Sequence, residues 1–274
     1  MVTVAVLLVA ATLAHLGWMR YRPHSPPLFP RQRVQAWWMM VAVFATATLA
    51  GPSVSIAGFA FLSFLALREY LHHLSQPVSL GTRFLCYLAI ALQYWWIKID
   101  WYGMFVIFIP VFLFLYLPVT VAQGGEEGQS LSSQAKLHWG MMTTVFCLSH
   151  AAYLLVLWPS GAALLLFVCV LTEVSDGVRF LLTRFSWGAK VSPVLCTLAA
   201  TVCALYFGPL TTPMSLSHTV LAGFVLGLAG VLGSRNVTAV SGELRLRPGK
   251  LARIESLAVT APLFFHGFRY FYTA

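Results

Sequence analysis

A chain of 274 residues in which 59% are hydrophobic and only 9% are charged falls far below the roughly one quarter of charged positions in a soluble domain, which excludes a water-soluble globule. Its net charge of +9 would point to nucleic acid in a soluble protein. In so apolar a chain it marks basic cytoplasmic loops and attraction to anionic headgroups, with no nucleic acid as partner. The fold class expected is therefore an all-α, polytopic integral membrane protein with about 8–10 transmembrane helices, each needing roughly 20 apolar residues.

In chain order, apolar runs fall at 2–19, 35–50, 55–70, 84–98, 102–121, 137–157, 161–183, 194–208, 214–232 and 256–272. The first has no basic residues ahead of it and is followed by Arg20, Tyr21 and Arg22, so it reads as a retained span, not a cleaved leader. Residues 22–31 hold four prolines and form a strap that cannot continue a helix. Residues 123–135, rich in Gly, Ser and Gln, read as a mobile loop. No repeat is visible. The organisation expected is one membrane domain over 1–274, with N-terminal helices over 1–122, a polar loop over 123–136 and C-terminal helices over 137–274. If the runs alternate with the N-terminus outside, only Lys98 and Arg269 of the 17 Lys and Arg lie externally. That sorting obeys the positive-inside rule. It predicts a bacterial inner (cytoplasmic) membrane protein whose polar site faces the cytoplasm.

Five cysteines, Cys86, Cys147, Cys169, Cys196 and Cys203, sit singly in apolar runs without a CxxC pair. They read as small core residues, not as a disulfide frame or a thiolate metal site. Eight acidic residues are the scarce resource, because a carboxylate in or beside the bilayer costs several kcal/mol unless paired or hydrated. Glu173, Asp176 and Arg179 follow one another at three-residue intervals and share a helix face. One reading is a structural ion pair; the other is a set of ligands for a metal or polar headgroup at a span end. Lys190 and the basic run Arg245–Arg253 suit topology and headgroup attraction, or a bound phosphate. His150 and His266 are lone imidazoles in apolar runs and read as satisfied core or interface residues. Gly223, Gly227, Gly230 and Gly233 carry small-residue spacing, which belongs to helix packing. No P-loop, GxSxG or HExxH pattern is present.

Arg253-Ile254-Glu255-Ser256-Leu257, followed by Thr260-Ala261-Pro262-Leu263-Phe264-Phe265-His266, resembles the end of the phosphatidate cytidylyltransferases, or CDP-diacylglycerol synthases. Their signature closes on Asp-Arg-Ile-Asp-Ser and an Ala-Pro-Val-Phe-Phe span. Thr172-Glu173-Val174-Ser175-Asp176, Lys190-Val191-Ser192-Pro193 and Gly227-Leu228-Ala229-Gly230 are similar, in order, to the family's acidic motif, Lys-Val-Ser-Pro loop and the stretch before its Gly-Asp pair. Upstream, Leu62–Tyr70 and Phe146–Ala152 resemble a bacterial branch. The resemblance implies a reaction joining phosphatidate to CTP with release of pyrophosphate, the lipid phosphate attacking the nucleotide's α-phosphorus. It implies Asp176, Arg253 and Glu255 as catalytic residues and Lys190, Ser192, Arg247 and Lys250 as substrate-binding residues. It further implies Mg²⁺ on Asp176 and Glu255.

The sequence departs from that pattern at several points. Gly233-Ser234 stands for the Gly-Asp pair, Ser241-Gly242 for the following Lys-Arg, and Ala252-Arg253-Ile254-Glu255 for Asp-Arg-Ile-Asp. Losing one charge-stabilising group commonly costs about 10²–10³ in rate. The expected function is thus a phosphatidate cytidylyltransferase-like protein with impaired catalysis, taking an anionic phospholipid and, if active, CTP. The alternatives are a non-catalytic relative that binds anionic lipid or an intact synthase, as a partner subunit or homo-oligomer, and an ion-coupled transporter using Glu173 and Asp176.

Overall fold

The computed structural model describes residues 51–74, 78–123, 131–244 and 251–273 with a few isolated earlier positions; side chains at 120–123, 131–132, 236–244 and 251–255 are not among those described. The candidate spans 2–19 and 35–50 and the proline strap lie outside the described residues. From residue 51 onward every apolar run coincides with helix. The order is α1 (Pro52–His73), α2 (Leu80–Lys98), α3 (Tyr102–Ile107), α4 (Phe114–Gln123), α5 (Leu131–Met141), α6 (Leu148–Leu157), α7 (Gly161–Leu182), α8 (Gly188–Thr211), α9 (Leu216–Leu244) and α10 (Leu251–Tyr272). Among the described residues there is no strand. Among the described residues six segments are long and apolar enough to cross a membrane: Pro52–His73, Tyr102–Val119, Ser133–Leu157, Gly161–Leu182, Gly188–Thr211 and Leu216–Arg235. The protein is an all-α, polytopic membrane protein.

Local sequence sets the helix boundaries. Gly51 takes φ 82°, a conformation open to glycine, and delivers Pro52 to the first turn of α1, where a missing N–H costs nothing. Ser79 Oγ accepts from the Thr82 N–H at 3.2 Å and caps α2. Of the polar stretch expected as a loop over 123–135, Gln123 belongs to α4 and 131–135 to α5, and residues 124–130 lie outside the described residues. Two spans are each a pair of helices joined by one wide, π-helical segment, Phe108–Leu113 between α3 and α4 and Met142–Cys147 between α5 and α6. Pro110 lies in the first, and its missing N–H disrupts the regular ladder there. Gln93 Nε2 donates to Phe105 O at 3.1 Å and to Ser149 Oγ at 3.3 Å, so a buried amide ties α2 to the helices that flank both wide segments.

α8 and α9 make the most extensive contact, α7 packs on both, and α10 packs on α9 and α6. The glycine spacing of α9 is what allows this approach. A Cβ added at Gly227 would lie 2.7 Å from Thr197 Cα, and one at Gly223 would lie 2.7 Å from Thr201 Cα. Backbone proximity of this kind replaces the hydrophobic drive that helices lack when lipid is the solvent. A second centre of packing is aromatic: the Phe105 ring lies 4.7 Å from both His150 and Tyr153, nearly perpendicular to the latter. α1 and α2 join this core through buried Leu67, Tyr70, Ile90 and Tyr94, with α1 packed against α6.

The ends of the bundle differ. Trp95 and Trp101 are half exposed at the α2–α3 turn, and Phe185 stacks on half-exposed Trp187 between α7 and α8 at the opposite end. Aromatic residues at both ends mark the two membrane interfaces. α9, at 29 residues, is about 44 Å long at 1.5 Å per residue, against a hydrocarbon core of about 30 Å. Its last turns therefore emerge from the membrane beside the end of α7.

Candidate functional site

Polar side chains gather where α7 ends, α8 begins and α9 leaves the membrane. α7 is the hub. Thr172 Oγ1 lies 2.9 Å from Thr260 Oγ1 of α10, both buried. One turn on, Ser175 Oγ donates to Gly227 O of α9 at 3.4 Å, and Gly230 leaves room for that hydroxyl, since a Cβ there would stand 3.1 Å from Ser175 Oγ. Arg179 then reaches back along its own helix to Asp176, Nη2 to Oδ1 at 2.9 Å, and across to α9, where Nη1 donates to Ser234 Oγ. Arg235, the next residue of α9, donates from Nη2 to Ala189 O at the start of α8.

The triad Asp176–Arg179–Ser234 is partly enclosed, with 15% of the Asp176 side chain and 33% of the Arg179 side chain exposed. A carboxylate so placed keeps its charge most cheaply beside a fixed cation, and a planar guanidinium can serve two acceptors at once. Ser234 occupies the position that the resemblance gives to the second residue of the Gly-Asp pair. In this chain, therefore, the group lying between the two positions is the Arg179 guanidinium.

The other expected site residues fall as follows. Lys190 is exposed on the first turn of α8, and Ser192 is buried there, its Oγ 3.6 Å from Cys196 Sγ. The Lys190–Pro193 stretch is thus helix, not loop, and Lys190 and Ser192 face different surroundings. Glu173 is half-buried one turn before Asp176. Arg247 and Lys250 lie outside the described residues, as do the side chains of Arg253 and Glu255. The expected pairing of Asp176 with Glu255 is therefore carried by no geometry here. Among the described residues no three His, Cys, Asp or Glu side chains converge as metal ligands, and Asp176 Oδ1 is engaged by Arg179. Among the described residues, then, no ligand set completes a divalent-ion site at Asp176.

A second polar assembly, at the opposite end, escaped the sequence reading. Tyr153 OH donates to Asp100 Oδ1 at 2.5 Å, and Asp100 sits at φ 54° in the α2–α3 turn. His150 and His266 are not lone: their Nε2 atoms are 3.2 Å apart. His150 Nδ1 donates to Phe146 O at 2.8 Å, so its Nε2 accepts from His266, whose Nδ1 accepts from Tyr102 OH at 3.3 Å. The Arg269 guanidinium covers the Tyr102 ring at 3.9 Å. Only long-range pairing unites these residues, which are separated by up to 164 positions; no spacing in the sequence signals it.

The cytidylyltransferase family matches residues 31–234 of the chain. A protein of Escherichia coli (strain K12) described as "Uncharacterized protein YnbB" is 32% identical over 293 aligned positions, which cover 98% of this chain and 97% of that protein. No solved structure matches the chain.

Proposed function

The chain belongs to the cytidylyltransferase family, and from that membership we propose a CDP-diacylglycerol synthase-like membrane protein that binds phosphate groups at the Asp176–Arg179–Ser234 cluster and transfers cytidylyl poorly. The phosphate belongs to phosphatidate or another anionic phospholipid, or to CTP. The cluster faces the cytoplasm in this reading, in accord with the sorting of basic residues, and the membrane is the bacterial inner membrane.

The observation that carries the proposal is the guanidinium of Arg179 between Asp176 and Ser234. Transfer in the family's manner forms a bond from a lipid phosphate oxygen to the α-phosphorus of CTP and breaks the bridge to the departing pyrophosphate. Several phosphates then crowd together, and metal ions normally offset their charge. A divalent ion about 4 Å from a guanidinium would be repelled by about 8 kcal/mol at an effective dielectric of 20. In this proposal Arg179 takes the cation position itself, because its Nη2 already engages Asp176 Oδ1 at 2.9 Å. A single positive charge on a fixed fork is suited to holding a phosphate, by donated hydrogen bonds, and less suited to neutralising a triphosphate in transfer. Lys190 and Arg235, both exposed at the same end, add long-range attraction for anions. The Mg²⁺ expected from the resemblance is not held at Asp176 in this proposal.

The test is a direct one. Purified protein is given phosphatidate, labelled CTP and Mg²⁺, and CDP-diacylglycerol is followed beside lipid retention. Retained phosphatidate that weakens in Arg179→Gln, with turnover at least about 10²-fold below a family member with intact carboxylates, is the expected result. Rapid turnover that is abolished by Asp176→Asn would refute impaired catalysis.

A further inference from the structure

α1 ends and α2 begins at the bundle end that also carries the Asp176 cluster, and between them lies a cavity of about 500 Å³ lined by Leu65, Arg68, Glu69, His72, Arg83 and Tyr87. Its lining sets two arginines against one glutamate. Arg68 and His72 stand one turn apart on α1, Arg83 faces them from the first turn of α2, and Glu69 is the acidic residue of the lining. The Arg83 Nε is buried and has no hydrogen-bond partner among the described residues. A buried guanidinium nitrogen without an acceptor is costly, and such groups point to a ligand or an ordered water. The Phe64 and Tyr87 rings, 5.0 Å apart, join the two helices on the membrane side of the cavity.

The surroundings say which acceptor fits. Leu80, Phe84 and Leu88 follow at four-residue spacing on α2 and are exposed, Leu80 and Phe84 strongly so. A cationic cup at the interface with an apolar helix face running from it into the bilayer matches a phosphate head attached to acyl chains. The lining belongs to α1 and α2, whereas the Asp176 cluster is built on α7 to α9, so the two are different places.

We propose that this cavity binds the phosphate headgroup of an anionic phospholipid, held by Arg68 and Arg83 with the acyl chains along the Leu80–Phe84–Leu88 face. The site is additional to the phosphate-binding cluster at Asp176 and does not depend on it.

The decisive measurement is arginine footprinting of the wild-type protein in phosphatidylcholine nanodiscs with and without phosphatidylglycerol. Phenylglyoxal modification is read peptide by peptide. Phosphatidylglycerol is expected to slow modification of Arg68 and Arg83 by about tenfold, and phosphatidylcholine alone to leave it unchanged. Protection is expected to persist in Asp176→Asn, which separates this site from the proposed function. In a lipid-retention assay Arg68→Gln/Arg83→Gln is expected to weaken phosphatidylglycerol binding by about tenfold or more, while Arg68→Lys/Arg83→Lys retains most of it. Equal protection by phosphatidylcholine would overturn the proposal, as would loss of protection in Asp176→Asn. Protection by CTP or inorganic phosphate without anionic lipid, at matching concentration, would assign the cavity to soluble phosphates and overturn its lipid character. The footprint needs no variant, so a poorly folding double substitution leaves the test intact.

Discussion

Replacing Arg179 by Gln and Asp176 by Asn, singly and together, tests whether the guanidinium holds α7 and α9 in place of a metal. The ion pair spans 2.9 Å, with the carboxylate mostly enclosed and the guanidinium one third exposed. Fully exposed pairs are worth about 0–1 kcal/mol, and breaking a buried pair costs about 3–5 kcal/mol. The intermediate exposure sets the expected coupling energy at about 2 kcal/mol, because the enclosed Asp176 dominates the penalty. Arg179→Gln should be the more damaging single change, since it takes the guanidinium from the carboxylate and a donor from Ser234 together. Once Asp176 is already Asn, the same change should cost less. The assay is unfolding of the detergent-solubilised protein followed by tryptophan fluorescence, repeated with Mg²⁺. Wild type should show no stabilisation by Mg²⁺ that Asp176→Asn removes. The combined Arg179→Gln/Ser234→Asp variant, which exchanges the fixed cation for a second carboxylate, should gain one. A coupling energy below about 0.5 kcal/mol would refute the bridging role. A Mg²⁺ stabilisation of wild type that depends on Asp176 would refute the claim that the guanidinium holds the cation position.

Two further outcomes follow from packing and hydrogen bonding. Gly227→Val places side-chain atoms against the Thr197 backbone, 2.7 Å from the new Cβ, and should destabilise by about 1–3 kcal/mol or more because backbone cannot yield; thermal unfolding in detergent reads it, and a neutral result would mean that α8 and α9 cross less closely. Tyr153→Phe removes the hydroxyl donating to Asp100 at 2.5 Å and should cost about 1.5–3 kcal/mol, as expected for a bond to a charged group, with the loss measured as a shift in the same transition.

The spans were legible in the sequence because a bilayer demands long apolar runs, and each run from 55–70 onward is helical. The position of the polar break was less legible. Leu131, Ala135 and Leu137 supply enough apolar and helix-favouring character to begin α5 inside a Ser- and Gln-rich stretch, and Lys190–Pro193 continues a helix although Pro193 lies in it, because the Ala189 carbonyl that this proline leaves without its donor accepts from Arg235 instead. Asp176 and Arg179 were readable as a pair by their i, i+3 spacing. Their third member, Ser234, lies 55 residues from Arg179 and was singled out only as a departure from the family's Gly-Asp pair. The same limit hid Tyr153–Asp100 and His150–His266: a hydrogen bond between distant helices leaves no period in the sequence.

The polar assembly at the opposite end bears on the transporter alternative. Ionisable residues in a span are functional by default because their burial is costly. Here the cost has a structural return. Tyr153 and Asp100 tie α6 to the α2–α3 turn, His150 and His266 tie α6 to α10, and Tyr102 with Arg269 ties α3 to α10. Asp100 and Asp176 lie at opposite ends, and between them α6 packs through Tyr153 against Phe105 of α3 and Phe265 of α10. The two ends thus divide the work: one fixes helices α3, α6 and α10 through satisfied hydrogen bonds, and the other presents Arg179, Lys190 and Arg235 where α9 leaves the membrane.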